Sequence, residues 1–332
     1  MDCHLSGRKG GEAKNEVKME ALIIVNPRAA GGRAKQVFQE IKKDLDSFFA
    51  CRRVAVAEKP EDVAKELDIA AKENISRLIV IGGDGTNHNV VNALAHRPGL
   101  KIALGFIPVG TGCDWSRALG MPRKPQQSVE WLAKAQPHPC DLGKVEYFDT
   151  RSGGKTASHF FLNIASAGIS GEVDSRVNRA KRRTSFTFLR ATVATLLKYK
   201  PQHVAVECDG EIFYRGKSFL LVVANGRYFG RGMWIAPHAL IDDGLFDVLL
   251  IEGVSRLKIL FALQSVYSGK HISRNDVRKT RARTVYVHSD DGALGLDLDG
   301  EEGKGNDLRF TLIPEAVNIL LHPTLAAIKK NN

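Results

Sequence analysis

The residues best suited to phosphate chemistry form one short segment, Gly82-Gly83-Asp84-Gly85-Thr86-Asn87. It follows an apolar run and leads into a helical pattern. Glycines let the backbone approach a phosphate without a Cβ clash, and the N-terminus of the next helix presents free N–H groups. Asp84 is the carboxylate that would orient phosphates or help to hold Mg²⁺. The segment matches neither a Walker A loop nor G-x-G-x-x-G, which disfavours those two nucleotide folds.

Two further loops have a similar composition. One is Asn26-Pro27-Arg28-Ala29-Ala30-Gly31-Gly32, and the other is Gly110-Thr111-Gly112-Cys113-Asp114. Each follows a predicted strand, and ligands of open α/β sheets bind at the carboxyl ends of the strands. Either loop alone could be an ordinary glycine-rich turn. Together they predict a phosphate cradle that contains Asn26, Pro27, Gly31, Gly82, Gly83, Asp84, Gly85, Thr86, Asn87, Gly110, Thr111 and Asp114.

Two acidic segments stand out in the second half of the chain. They are Asp242-Asp243-Gly244 and Asp299-Gly300-Glu301. Each contains Asp-Gly, a favoured hairpin turn, so a purely structural role is open for both.

The elements that must position these residues fall into two groups. Up to about residue 137, short apolar runs alternate with helical patterns, which predicts a parallel sheet with helices on its faces. Beyond it, short strand-like runs joined by glycine turns predict a mostly antiparallel, β-rich part with two helices. We predict a flexible tail over 1–19, an α/β domain over 20–137 with 314–328 packing back onto it, and a β-rich domain over 138–313.

The chain is basic, with a net charge of +11 over 332 residues. Residues 151–200 carry ten Lys or Arg against two acids, and residues 255–283 carry eight against one. Such charge attracts nucleic acid, anionic membranes or phosphorylated small molecules, although a solvated helix face is an equally simple interpretation. No nucleic-acid motif is present, so we expect no nucleic-acid partner.

The five cysteines lack C-x-x-C spacing, which disfavours a disulfide framework or zinc site and fits a reducing cytosol. The polar first twenty residues do not form a signal peptide. No apolar run approaches the roughly 20 residues that span a bilayer. We therefore expect a cytoplasmic protein without a transmembrane segment.

The motifs resemble, in order, those of the diacylglycerol kinase catalytic-domain family, which includes bacterial lipid kinases and the sphingosine and ceramide kinases. The resemblance covers about residues 21–320. It rests on V-N-P…G-G, G-G-D-G-T-N, P-x-G-T-x-x-D, Asn225-Gly226-Arg227-Tyr228-Phe229-Gly230-Arg231-Gly232, Ala236-Pro237, Asp242-Asp243-Gly244-Leu245-Phe246-Asp247 and Asp297-Leu298-Asp299-Gly300-Glu301.

The resemblance implies a β-sandwich as the second domain and an ATP site in the cleft between the domains. It implies that Asp299 is the general base, with Glu301 nearby and Asp84 at the phosphates. It also implies a structural Mg²⁺ bound by the Asp243 carboxylate and the backbone carbonyls of Leu240 and Leu245.

The chain departs from the family pattern at Cys113, where the family usually has Asn. Asp114 is kept, so nucleotide binding is expected to survive in altered form. We expect His88 and His96 to be helix-surface residues, and Gly168 to correspond to a family position that lines the lipid cleft.

These observations predict an ATP- and Mg²⁺-dependent lipid kinase that converts diacylglycerol to phosphatidic acid. The basic segments 176–200 and 256–283 would hold it peripherally on an anionic membrane. Alternatives are a kinase for a sphingoid base or another lipid alcohol, an NAD-kinase-like enzyme and a non-catalytic lipid-binding module. The sequence allows a homodimer but does not determine the oligomeric state.

Overall fold

The computed structural model describes residues 18–110, 112–151, 153–179 and 185–324. Most of the predicted N-terminal tail and Thr111 of the predicted phosphate cradle lie outside these residues. The first part of the chain comprises β1 (Met19–Val25), α1 (Arg33–Phe48), β2 (Phe49–Val56), α2 (Pro60–Lys72), β3 (Arg77–Gly82), α3 (Asp84–Ala95), β4 (Ala103–Pro108), α4 (Asp114–Ala118) and α5 (Pro125–Lys134).

The first part folds as the alternating pattern predicts. The parallel strands lie in the order β4-β3-β1-β2, and β1, β3 and β4 are almost entirely buried. The helix α1 buries Ala34, Val37, Ile41 and Leu45, one face at helical spacing, against this sheet. Where a plain loop was expected after β1, residues Ala29–Gly32 form a 3₁₀ turn.

The second part is β-rich with three helices. It comprises β5 (Gln136–Asp149), β6 (Lys155–Phe161), β7 (Ile164–Gly168), α6 (Ile169–Asn178), α7 (Ser185–Leu196), β8 (Gln202–Cys208), β9 (Glu211–Ala224), β10 (Phe246–Glu252), α8 (Arg256–Tyr267), a 3₁₀ turn (Lys270–Ser273), β11 (Val277–Ala282), β12 (Thr284–Ser289), β13 (Leu294–Leu298), β14 (Glu301–Gly305) and β15 (Asp307–Leu321).

Strands of the second part pair antiparallel with one another. A core of Val, Leu, Ala and Phe side chains from these strands fills the sandwich, and the pair Phe161 and Phe246 stacks at 5.6 Å between ring centroids. The predicted fold class, a parallel α/β domain followed by an antiparallel β-sandwich, is confirmed.

One long strand ties the two parts together. The first half of β15 pairs with β12, whereas Asn318 and Ile319 near its end pair in parallel with Ala103 and Leu104 of β4. The strand β5 follows β15 across both parts, from Leu308 opposite Tyr147 to Leu321 opposite Gln136. The boundary predicted at 137/138 therefore falls inside β5. Among the described residues, no helix is long and apolar enough to cross a bilayer.

Candidate functional site

The three glycine-rich loops meet at one edge of the parallel sheet, because β1, β3 and β4 are neighbours and each loop follows one of them. The Asn26 side chain donates to Thr86 Oγ1 at 2.9 Å, and the Val109 N–H donates to the Gly82 carbonyl at 2.8 Å. A Cβ at Gly82 would lie 2.6 Å from Thr86 Oγ1, so only glycine fits there. The predicted cradle residues that the structure describes are thus brought together.

A cavity of about 1140 Å³ opens beside these loops and extends into the second part of the chain. One end is polar and contains Asn26, Asp84, Gly110, Asp114 and Asp299. The other end is a mostly apolar arm whose walls are α6, α7, α8 and β9, with side chains from Val173, Val177, Phe188, Leu196, Phe219, Leu220, Ile259, Leu263 and Val266. Gly168, predicted to line this cleft, is not among its lining residues, although its neighbour Ile169 is.

Two carboxylates face each other at the polar end. The Asp114 N–H lies 3.4 Å from Asp84 Oδ2, and a Cβ at Gly112 would lie 3.1 Å from the same oxygen. Burial, with the nearby negative charge of Asp114 and Asp299, raises the pKa of Asp84 to about 7, and burial also raises the pKa of Asp114. The Oδ1 atoms of both side chains are buried and accept no hydrogen bond from the described residues. Arg117 Nε lies 3.6 Å from Asp114 Oδ1 and offsets part of this negative charge. Two buried carboxylates beside one guanidinium still fit a Mg²⁺ ion that accompanies a nucleotide.

The predicted base, Asp299, has its carboxylate held by the protein backbone. It accepts hydrogen bonds from the N–H groups of Leu162 (2.7 Å), Asn163 (3.0 Å) and Ile164 (2.9 Å), in the turn between β6 and β7. Its own backbone has φ 54°, in the left-handed region. Since a carboxylate has about four acceptor positions, roughly one remains beyond these three bonds.

His88 was wrongly predicted to be a surface residue. It is only 6% exposed, and its Nδ1 lies 3.9 Å from Asp299 Oδ2. The Nε2 atom is 3.2 Å from the Asn92 amide, which donates to the Phe160 carbonyl at 2.8 Å. The helix α3 is therefore fixed against β6. His96, by contrast, is exposed, as expected for a surface residue.

Glu301 lies over the phosphate loop. A Cβ at Gly85 would be 3.0 Å from Glu301 Oε1, so this carboxylate approaches the start of α3. Residue 301 is exposed, unlike Asp299, whose side chain is 5% exposed.

Arg231 belongs to the motif at 225–232 but was given no role from the sequence, yet it lines the cavity and contacts both Asp114 and Phe188. Its backbone has φ 70°, an unusual conformation for a residue with a long side chain. The Arg231 N–H donates to Asp114 Oδ2 at 2.7 Å, and its guanidinium carbon is 6.0 Å from the Phe188 ring centre. Strained backbone of this kind is concentrated at functional sites. The Arg231 backbone thus binds the Asp114 carboxylate, while its guanidinium lies beside Phe188.

A second carboxyl pair, Asp174 on α6 and Asp297 on β13, lies along the same cavity. The two side chains share a hydrogen bond. Burial raises the pKa of Asp174 to about 6, and burial together with the Asp174 charge raises the pKa of Asp297 well above its ordinary value. The Gly300 N–H donates to Asp297 Oδ1 at 2.7 Å, so this pair also supports the turn that carries Asp299.

The raised pKa values of this pair predict a pH dependence of stability. A carboxyl whose pKa is raised by folding stabilises the native state fully below pH 4, and this contribution is lost as the pH rises through the folded-state pKa. Asp174→Asn removes the like charge. Between pH 5 and pH 8, the free energy of unfolding of the wild type should therefore fall by about 1–3 kcal/mol more than that of the variant. Urea unfolding at both pH values measures this difference. Glu172→Gln, on the same helix and exposed, is the control, and an equal effect of the two substitutions would contradict the assignment.

In the structure, the loop predicted to bind magnesium contains an ion pair with an arginine side chain. The Asp243 carboxylate forms an ion pair with Arg281 and accepts the Leu245 N–H at 3.2 Å. Nearby, Asp141 accepts the Gly244 N–H at 2.8 Å, and Asp247 Oδ2, which accepts no hydrogen bond from the described residues, lies 3.7 Å from Arg281 Nε. One guanidinium thus faces the carboxylates of Asp243 and Asp247, and oxygen donors of this kind fit Mg²⁺. The assignment of Asp243, Leu240 and Leu245 as its ligands stays a prediction.

Comparison with known proteins agrees with the geometry over both parts of the chain. Residues 20–145 match the family described as diacylglycerol kinase catalytic domain, and residues 163–321 match the YegS C-terminal NAD kinase beta sandwich-like domain. A probable lipid kinase YegS-like protein of Pseudomonas fluorescens is 29% identical over 91% of this chain and 93% of its own length. Diacylglycerol kinases of Mycobacterium tuberculosis and Bacillus subtilis are each 28% identical, over 78% and 85% of this chain and over 81% and 90% of their own lengths.

A solved structure shares the fold. The crystal structure of a diacylglycerol kinase from Bacillus anthracis superposes with a TM-score of 0.67 at 21% sequence identity and covers 94% of this chain and 99% of its own. This likeness extends over both the parallel sheet and the sandwich.

Proposed function

Since the chain belongs to the diacylglycerol kinase catalytic-domain family and is a lipid kinase, we propose that it transfers the γ-phosphoryl group of ATP to the hydroxyl of diacylglycerol, with Mg²⁺, to form phosphatidic acid. One observation carries this proposal: a single cavity joins the glycine-rich loops at the sheet edge to an apolar arm between α6, α7 and α8. A phosphate donor and an acyl chain can therefore occupy it at the same time.

The nucleotide is proposed to bind at the loops that contain Asn26, Gly83 and Gly110. Glycines at this edge leave space for phosphate oxygens, and the N-terminus of α3 supplies backbone N–H groups. Asp84 and Asp114 would hold Mg²⁺, since the Asp114 N–H lies 3.4 Å from Asp84 Oδ2 and each carboxylate has a buried Oδ1 that accepts no hydrogen bond from the described residues. When bound, the ion neutralises phosphate charge and orients the β- and γ-phosphates.

The acceptor hydroxyl needs a group that takes its proton as the phosphoryl group transfers. Asp299 is proposed for this role because its three backbone donors fix the carboxylate at the junction of the polar end and the arm. A carboxylate positioned this way contributes about 10²–10⁴-fold to a rate. Arg231 lies beside Asp114 and would balance negative charge on the transferring group.

A kinase for a sphingoid base is the second candidate, and the Asp174–Asp297 pair favours it. These carboxyls lie along the cavity near the apolar arm, where they could pair with the ammonium group of such a lipid. Diacylglycerol has no cation to place there. An NAD-kinase-like activity is less favoured because the arm that would have to take the second nucleotide is lined mostly by apolar side chains.

We propose that the enzyme works in the cytoplasm, at the surface of an anionic membrane. The excess of Lys and Arg in residues 151–200 and 255–283 supports this location, at about 1 kcal/mol for each basic residue close to the surface. Binding to vesicles that does not depend on anionic lipid would contradict it.

The proposed function is tested with radiolabelled ATP and Mg²⁺ against micelles that contain diacylglycerol, monoacylglycerol, ceramide or sphingosine. We expect phosphatidic acid from diacylglycerol as the main labelled product. Preferred labelling of sphingosine would select the second candidate. Intact Mg²⁺-ATP binding without any labelled lipid would contradict both and leave the non-catalytic lipid-binding module.

A further inference from the structure

The helix α8 is apolar on both of its sides. Ile259, Leu263 and Val266 face inward and line the arm of the cavity. On the outer side, Leu257 is 64% exposed and Phe261 is 82% exposed, the highest exposure of any large hydrophobic residue that the structure describes. A helix that is hydrophobic all round is normally covered on all sides, by protein or by lipid.

The neighbouring helix α7 has the same arrangement. Phe188, Thr192 and Leu196 line the arm, whereas Leu189 is 44% exposed and Leu197, directly after the helix, is 55% exposed. The two helices contact each other. Both helices therefore carry exposed apolar side chains next to the same cavity. We call Leu189, Leu197, Leu257 and Phe261 the α7–α8 ridge.

The charged residues of the two ridge helices have one sign. Neither helix contains Asp or Glu. Arg190, Lys198 and Lys258 are exposed beside the ridge residues, and Lys270 and Lys279 are exposed on the segments that follow α8. Apolar side chains surrounded by Lys and Arg are the composition of surfaces that enter the headgroup region of anionic bilayers.

We propose that the α7–α8 ridge inserts into the anionic leaflet and that the lipid substrate passes from the bilayer between α7 and α8 into the apolar arm. This inference rests on the proposed function and adds the route by which the substrate arrives. The cavity lies directly behind the ridge, since the same two helices form both, so an acyl chain need not cross water. A second copy of the chain is a less suitable partner for the ridge, because pairing two ridges would bring the basic residues of both copies together and like charges repel.

The experiment compares two double variants of the full-length protein. Leu257→Asp/Phe261→Asp changes the ridge. Ile212→Asp/Phe148→Asp is matched to it, since these residues are 59% and 50% exposed and lie on β9 and β5, outside the cavity lining. Sedimentation with phosphatidylglycerol vesicles measures binding. Activity is measured with dioleoylglycerol in those vesicles and with water-soluble dihexanoylglycerol in buffer.

We expect the ridge variant to lose at least about thirtyfold in vesicle partitioning, since two large apolar side chains no longer enter the leaflet. Activity on vesicle dioleoylglycerol should fall in parallel, while activity on dihexanoylglycerol stays within about twofold of the wild type. The control variant should bind like the wild type. Equal partitioning of the two variants would overturn the proposal. So would a wild-type dimer that the ridge substitutions dissociate without any change in vesicle binding.

A second measurement does not depend on the folding of the ridge variant. In Phe261→Trp, the indole fluorescence should be quenched by brominated phosphatidylglycerol beyond the level of the wild type, and the absence of added quenching would overturn the proposal. If the wild type binds vesicles through the ridge but phosphorylates neither lipid, the ridge is supported and the proposed kinase reaction is contradicted.

Discussion

Asp299→Asn is expected to reduce kcat for lipid phosphorylation by about 10³-fold, within the range of 10²–10⁴ that a positioned proton acceptor contributes. The amide has almost no basicity, so it cannot take the proton of the acceptor hydroxyl. The affinity for Mg²⁺-ATP should change by less than about tenfold, because Asp299 is not part of the three glycine-rich loops that are proposed to hold the phosphates. Single-turnover kinetics and equilibrium nucleotide binding measure these two effects separately.

The same substitution is also expected to destabilise the protein. The carboxylate accepts three backbone N–H groups at 2.7, 3.0 and 2.9 Å, and an asparagine would turn its NH₂ group toward at least one of them. Leaving buried N–H groups without an acceptor costs about 2–4 kcal/mol in the free energy of unfolding. Activity must therefore be measured at a temperature where circular dichroism shows the variant to be folded.

Glu301→Gln is the matched control for Asp299→Asn. Glu301 lies two residues away and is exposed, so its substitution should leave the unfolding free energy within about 0.5 kcal/mol. If Asp299 is the base, Glu301→Gln keeps kcat within about tenfold. The reverse pattern, with a folded and active Asp299→Asn and an inactive Glu301→Gln, would transfer the role of the base to Glu301.

The positions of the three glycine-rich loops could be predicted from the sequence because the pattern that identifies each loop is local. Each consists of glycines and one or two polar residues directly after a buried strand, and parallel strands place such loops at one edge of the sheet. Asn26, Thr86 and Asp114 could therefore be predicted as neighbours without knowledge of contacts between distant segments. The alternation of strands and helices likewise predicted the parallel sheet, and the short strand-like runs joined by glycine turns predicted the antiparallel β-rich part.

The rest of the site depends on contacts between distant segments. His88 has the spacing of a helix residue, and nothing near it indicates that Asp299, more than 200 positions later, lies 3.9 Å away. The Asp174–Asp297 pair joins a helix to a strand in the same way. Arg231 stands in a glycine-rich turn, and its left-handed backbone is imposed by the surrounding structure rather than by its own preference.

Asp84→Asn should have opposite effects on stability and on activity. The carboxylates of Asp84 and Asp114 lie close together, and each has a buried oxygen that accepts no hydrogen bond from the described residues. Burial and the acidic neighbours raise the pKa of Asp84. In the absence of Mg²⁺ and nucleotide, this repulsion opposes folding. Removing one charge at pH 8, in EDTA, should therefore raise the free energy of unfolding by about 1–3 kcal/mol.

The same change should lower kcat/KM for lipid phosphorylation by about 10²–10⁴-fold, since the charge that destabilises the free protein is the charge proposed to hold Mg²⁺ with ATP. Urea unfolding and the radiolabelled assay measure the two effects. Glu40→Gln, an exposed residue on α1, is the control for a general change in net charge and should alter neither. A variant that is both less stable and fully active would show that the Asp84 carboxylate supports the fold rather than the reaction. A variant that is more stable and inactive is the result we expect, because a site that attracts a cation tightly must keep its negative charges close together before the cation arrives.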